Sequence, residues 1–378
     1  MAMCAHRDPS TPSTAPDFLL SRAHGSVRTQ GHRMGYSDPW QAVEALRAGR
    51  HEMVVGALPF LRDAPAALTV PESIIREPAG LEPHAFYRVG PGSKLDAYQR
   101  NLDPDAEEHR RRVAAAVATI RRTRLDKVVL ARAVDIGFRE AVDPRLVAAR
   151  LIDHSTNRDG FIADLSPAGG YFEGRMLVGC SPEVLIRRRG DEVTAYPMAG
   201  SAPRSSDPAE DRALAEHLAA STKDLDEHSY VVESLRADLT PLCSELDIPS
   251  APELTATTEM WHLATPVRGR LKDPRTNALE LALRVHPTPA ICGTPRDLAE
   301  ELITTAETDR GFYAGAVGWC GSTGDGEYMV AIRCAEVALD GLSARAWAGG
   351  GIVADSDPEA EYQETTAKLR TIMSALGL

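Results

Sequence analysis

Asp126-Lys127-Val128-Val129-Leu130-Ala131-Arg132-Ala133-Val134-Asp135-Ile136 is β-branched and apolar, and it reads as a buried strand. Alternation places Lys127, Val129, Ala131 and Ala133 on one face. A lysine sharing a face with small apolar residues either snorkels to water or sits in a pocket. In a pocket, desolvation favours the neutral amine that a general base needs. This segment alone leaves both open. Upstream, Asp103-Pro104-Asp105 reads as the acidic, proline-bearing start of a long helix reaching about Arg122. Downstream, a helix is expected near Pro144 to Asp153. Strand-like runs follow at Gly170 to Phe172, Met176 to Cys180, Glu183 to Arg187 and Val193 to Tyr196.

Further out, helices are expected from Pro208 to Leu218 and from Asp226 to Leu242. Hairpin strands follow around Gly315 to Trp319, Tyr328 to Cys334 and Ala344 to Ala348, before a last helix. On the N-terminal side, short apolar runs (Phe18 to Leu20, Met53 to Phe60) flank a helix at Pro39 to Ala48. Residues 1–16, rich in Pro, Ser, Thr and Ala, are expected to be disordered. Runs of strands broken by runs of helices predict an α+β fold with largely antiparallel sheets, not a parallel doubly wound one.

Composition narrows the function. Against 54 acidic residues stand 42 basic ones, a net charge of −12, which argues against a nucleic-acid partner. A locally positive cleft for a small anion stays open. The six cysteines form no CxxC pair and no zinc spacing, so reduced thiols in a cytoplasmic protein are expected. No stretch of 18 apolar residues exists, so no membrane span is expected.

Several residues are candidates for chemistry. Gly179-Cys180-Ser181-Pro182 forms a tight turn that delivers Glu183 to the start of an apolar strand. There it is either a solvated turn glutamate or an acid of raised pKa, able to protonate a leaving hydroxyl. The terminal helix, capped by Asp357 with Pro358 at its first position, aligns Glu361, Glu364 and Lys368 on one face. That face is either a surface ion pair or half of a hard-cation site with Glu227. Gly349-Gly350-Gly351 lets the backbone approach a ligand but lacks the helix of a dinucleotide fingerprint. Arg333, in an apolar strand, needs an anionic partner, whether a substrate carboxylate or a structural acid.

Taken together these segments resemble the chorismate-utilising enzymes, the family of isochorismate, salicylate, anthranilate and aminodeoxychorismate synthases. The resemblance is carried in order by Lys127 to Arg132, Gly179 to Glu183, Pro197 to Ser201, Asp226-Glu227-His228 and Trp261 to Pro266. It continues through His286-Pro287-Thr288-Pro289-Ala290, Gly311 to Gly315, Ala331 to Cys334, Ala348 to Val353, and Glu361 to Glu364 with Lys368. It implies an α+β fold of two interleaved subdomains, one catalytic domain over residues 17–378, and a monomer binding chorismate. It also implies Mg2+ held by Glu227 and Glu364 with Glu361. Substrate contacts implied are Arg333, Gly349, Gly350, Gly351, His262, Ala290 and Lys368.

Within that family, ammonia users carry glutamine where Lys127 stands, and aminodeoxychorismate synthases carry a lysine where Ala199 stands. The His286–Ala290 sequence matches isochorismate synthases. The resemblance therefore implies water as nucleophile, Lys127 as base, Glu183 as acid, and a product feeding menaquinone or siderophore synthesis. A salicylate synthase, an anthranilate synthase and a non-catalytic partner subunit are the rival readings.

Overall fold

The computed structural model describes residues 15–89 and 93–378. The expected disordered tail thus falls almost wholly outside the described residues. Its last two residues, Ala15 and Pro16, are buried, and the Pro16 carbonyl accepts a hydrogen bond from Arg145 Nε at 2.9 Å.

Two large sheets, of ten and nine strands, and a three-stranded sheet form the frame. The strand pairings among the described residues are antiparallel, as expected for this α+β fold. The ten-stranded sheet draws on residues 18–30, 127–138, 160–179 and 334–352, and the nine-stranded one on residues 34–70, 184–196, 243–271 and 316–330. The chain crosses between the sheets repeatedly, so the two halves are interleaved. One apolar core joins them, with Val128 and Leu130 of one sheet sharing a cluster with Ile186, Val317 and Met329 of the other.

Lys127–Phe138 is an inner strand of the ten-stranded sheet, and all but one of its residues are buried. Ser343–Ile352 runs beside it, pairing Gly349 with Ala131 and Gly351 with Val129. The helix Pro358–Leu376 packs on Ser343–Ile352. The three-stranded sheet, with Met198–Pro203 and Met260–Ala264, carries the helix Thr222–Leu239.

Four elements differ from the sequence reading, each for a local reason. The long helix is Ala106–Ile120, because the Asp105 side chain takes the cap by accepting from Glu108 N at 2.8 Å; Asp103 instead ends the strand Ala97–Asp103. Gly170–Phe172 is a 3-10 turn, entered through Gly169 and Gly170 with φ of 72° and 56°. The helix read from Asp226 begins at Thr222, where Ser221 caps it through Asp224 N. The strand expected over Tyr328 to Cys334 divides into Gly326–Val330 and Cys334–Val337, and Arg333 sits in the break at φ 51°. A strand at Gly160–Asp164 and helices at Ala278–Val285 and Arg296–Ala306 lie where the sequence reading placed nothing.

Candidate active site

Where the Lys127–Phe138 and Ser343–Ile352 strands meet the Ala331–Arg333 break, the backbone opens a cleft. Glu183, Glu227, His262 and Arg333 line it. Ala290, Gly349, Gly351 and Lys368 line it too, so eight of the twelve candidate residues share one wall system. Lys127, Gly350, Glu361 and Glu364 lie just behind that wall.

Lys127 is fully buried, with Nζ 2.9 Å from Oε1 of Glu227, but among the described residues it makes no well-directed hydrogen bond. Gly351 is what lets this pair form. A Cβ on Gly351 would stand 2.1 Å from Glu227 Oε1 and 2.9 Å from Lys127 Cε. Glu227 reaches this point from the second turn of Thr222–Leu239. The next residue, His228, anchors that helix: Nδ1 donates to the Ala199 carbonyl at 3.2 Å, so Nε2 accepts from Thr265 Oγ1 at 2.7 Å. Burial holds His228 down at about 4, so it is a neutral tether.

Glu183 is 3% exposed, and burial pushes its carboxyl up to about 7. The Met198 N–H, 3.4 Å from Oε1, and the fields of Lys127 and Lys368 oppose that rise without cancelling it. The turn that presents Glu183 is tied at both ends. Cys180 N donates to the Arg333 carbonyl, and Val330 N donates to the Glu183 carbonyl, each at 3.1 Å. The strand break that carries Arg333 thereby fixes Glu183 as well.

Arg333 Nη1 donates to Thr371 Oγ1 at 3.3 Å, and among the described residues no carboxylate forms an ion pair with it. Burial lowers its pKa. A buried guanidinium without an anion is costly, and a ligand carboxylate would offset that cost with charge-assisted bonds. His262, on the Met260–Ala264 strand, is held neutral by burial and by Arg333 and Lys368, with Nε2 unpartnered among the described residues. Tyr313 and Trp347 stack at 5.6 Å between ring centres, forming a flat aromatic wall.

On the last helix, Glu364 pairs with Lys368 at 2.5 Å, and Lys368 also donates to the Gly349 carbonyl at 3.2 Å. Glu361 is 1% exposed; its Oε1 accepts from Lys223 and Ser356, each at 2.8 Å, while Oε2 has no partner among the described residues. Burial, with Glu364 adding like charge, pushes Glu361 up to about 7. A Cβ on Gly350 would lie 3.0 Å from Glu361 Oε2 and 3.8 Å from Glu364 Oε1, so the glycine strand lets both carboxylates crowd it. Among the described residues no three His, Cys, Asp or Glu side chains enclose a metal unaided. Magnesium asks less, taking one or two carboxylates and filling its shell with water and substrate oxygens. An unpartnered buried carboxylate oxygen beside two more carboxylates fits that need.

Sequence reasoning did not single out Lys223, Tyr313, Trp347 or Met198 as site residues. Met198 acts through its backbone, which no side-chain pattern reports. Lys223 stands one helical turn before Glu227, and that i, i+4 spacing was the available signal.

A family profile described as chorismate binding enzyme matches residues 87–377. The chain therefore belongs to the chorismate-binding enzyme family. A MenF protein of Mycobacterium tuberculosis is 45% identical over 365 residues, covering 96% of each chain. The isochorismate synthase DhbC of Bacillus subtilis is 41% identical over 89% of this chain and 84% of its own. Among solved structures, DhbC of Bacillus anthracis superposes with a TM-score of 0.87 at 36% identity, covering 98% of both chains.

Proposed function

We propose that residues 17–378 form one catalytic domain that converts chorismate to isochorismate, adding water at C2 and losing the C4 hydroxyl. One observation carries this reading: an acid held protonated up to about 7, Glu183, shares a cleft with an unpaired guanidinium and a lysine-bearing strand. Substrate carboxylates find Arg333 at one end and the lysine- and glycine-lined strand at the other. His262 donates or accepts as a neutral imidazole. The Tyr313–Trp347 wall excludes water from the ring face.

Lys127 is paired with Glu227 in this structure and serves as base only when that pair opens. As a free amine it takes a proton from the attacking water. The ring double bonds shift, and protonated Glu183 gives its proton to the departing C4 oxygen. The two proton transfers balance, so the enzyme returns to its starting charge once Lys127 and Glu183 re-equilibrate. Glu227, Glu364 and Glu361 would hold Mg2+, which when bound supplies positive charge to the substrate carboxylate. All these groups come from one chain, which is what a monomeric enzyme requires. Among the described residues no helix is long and apolar enough to cross a membrane. Free thiols at Cys180, Cys243, Cys292, Cys320 and Cys334 support a cytoplasmic setting.

The test is chorismate with Mg2+, with and without ammonium, followed by chromatography. Isochorismate alone is expected in both arms. Salicylate with pyruvate, anthranilate in the ammonium arm, or no turnover would each replace this reading with a different one.

A further inference from the structure

Three carboxylates crowd the glycine strand, and each has its own ammonium: Glu227 with Lys127 at 2.9 Å, Glu364 with Lys368 at 2.5 Å, and Glu361 with Lys223 at 2.8 Å. The three lysines are not equivalent. Lys127 is sealed in the core, and Lys368 is tied down by the Gly349 carbonyl. The Lys223 side chain is 30% exposed, the most open of the three, and among the described residues only Glu361 accepts a hydrogen bond from it. It rises from the first turn of Thr222–Leu239, four residues before Glu227 and on the same face. From there its ammonium feels Glu361, Glu364 and Glu227 together. Lys223 thus puts a single positive charge among the carboxylates that the proposed function gives to a divalent cation, and it has a path to water.

We infer that Lys223 is a displaceable counter-ion of this cation site, holding the glutamates in register until a cation enters and then swinging out to solvent. The inference rests on the proposed cation site, and it assigns Lys223 a positioning role, outside the proton transfers. Its consequence has a distinctive sign. A residue that merely braces the site weakens metal binding when removed, whereas a competing ammonium strengthens it.

Mn2+ serves as probe, its free concentration followed by electron paramagnetic resonance, on the whole protein without substrate. Lys223→Met should bind Mn2+ about three- to fivefold more tightly than the parent, the scale of one partly screened ion pair. Lys223→Arg, which keeps the competing charge, should stay within about twofold of the parent. In the unaltered protein, saturating Mn2+ should raise the acetylation rate of Lys223 at least about threefold, while Lys127 stays unlabelled. That second readout needs no variant to fold. Equal or weaker Mn2+ binding by Lys223→Met, or labelling of Lys223 unchanged by metal, overturns the inference while leaving the cation site standing. No Mn2+ binding in any form, even with chorismate present, removes the cation site and the inference together.

Discussion

At one end of the cleft three carboxylates meet three ammoniums; elsewhere in it Glu183 and Arg333 are buried and, among the described residues, form no ion pair. The paired end is balanced in formal charge before anything binds. The lone end is unbalanced by design of its surroundings: burial keeps Glu183 protonated and leaves Arg333 in need of an anion. Charges left unpaired mark what the substrate brings, and charges already paired mark what must be exchanged when it arrives.

The comparison predicts its largest effect in the proton-transfer groups. Glu183→Gln and Lys127→Ala should each lower kcat by about 10³-fold or more, with circular dichroism unchanged, since each removes one proton transfer that nothing else supplies. Activity within tenfold of the parent in either variant would refute the assigned role.

Next in size is a paired substitution on the glycine strand. Gly351→Ala drives a Cβ to 2.1 Å from Glu227 Oε1, so the Glu227–Lys127 pair must break. Turnover should fall about 100-fold, the scale of a misplaced reacting group. Gly350→Ala comes no closer than 3.0 Å to any of its neighbours, the nearest being Glu361 Oε2, and should stay within about tenfold of the parent. Equal losses from the two would erase the distinction between their faces.

Arg333→Met should raise KM for chorismate about 10- to 100-fold without lowering Tm, because a lone buried charge leaves the fold. Lys368→Met should lower Tm, because it strands Glu364 in the core. A fall in Tm for both would mean that Arg333 has a structural partner after all.

The pH profile sharpens the lone end further. Glu183 acts in its protonated form and titrates at about 7, so kcat/KM should be lost as pH rises through that value, about tenfold per unit above it. Stability follows the same sign: folded Glu183 keeps a proton that the unfolded chain releases near 4.5, so stability declines as pH climbs from about 4.5 to about 7. Glu183→Gln should abolish both declines. The smallest effect belongs to the tether: Thr265→Val should cost about 1–2 kcal/mol in denaturant unfolding by leaving the buried His228 Nε2 unpaired.

Much of this was legible in the sequence because it is written in local patterns. The apolar run from Lys127, the cap at Asp357, and the proline turn before Glu183 each report a local backbone choice. The antiparallel sheets followed from the run of strands and turns. What stayed hidden depends on contacts between distant segments. Nothing in the residues around Arg333 announces a left-handed break, because that break is enforced by the Cys180 N–H and the turn it belongs to, some 150 residues away. Lys223 fell outside the helix read from Asp226, and only the fold brings Glu361 of the last helix against it. The Gly170–Phe172 segment carries strand-like residues, but the two glycines before Tyr171 take positive φ and curl it into a turn.

The most direct measurement is the reaction run in heavy-oxygen water, with the product read by mass spectrometry and each hydroxyl assigned by fragmentation. Attack by solvent water puts one heavy oxygen at C2 of the isochorismate and none at the enolpyruvyl ether. A product without label, its hydroxyl carried over from C4 of the same molecule, would contradict a base-activated water and with it the roles given to Lys127 and Glu183.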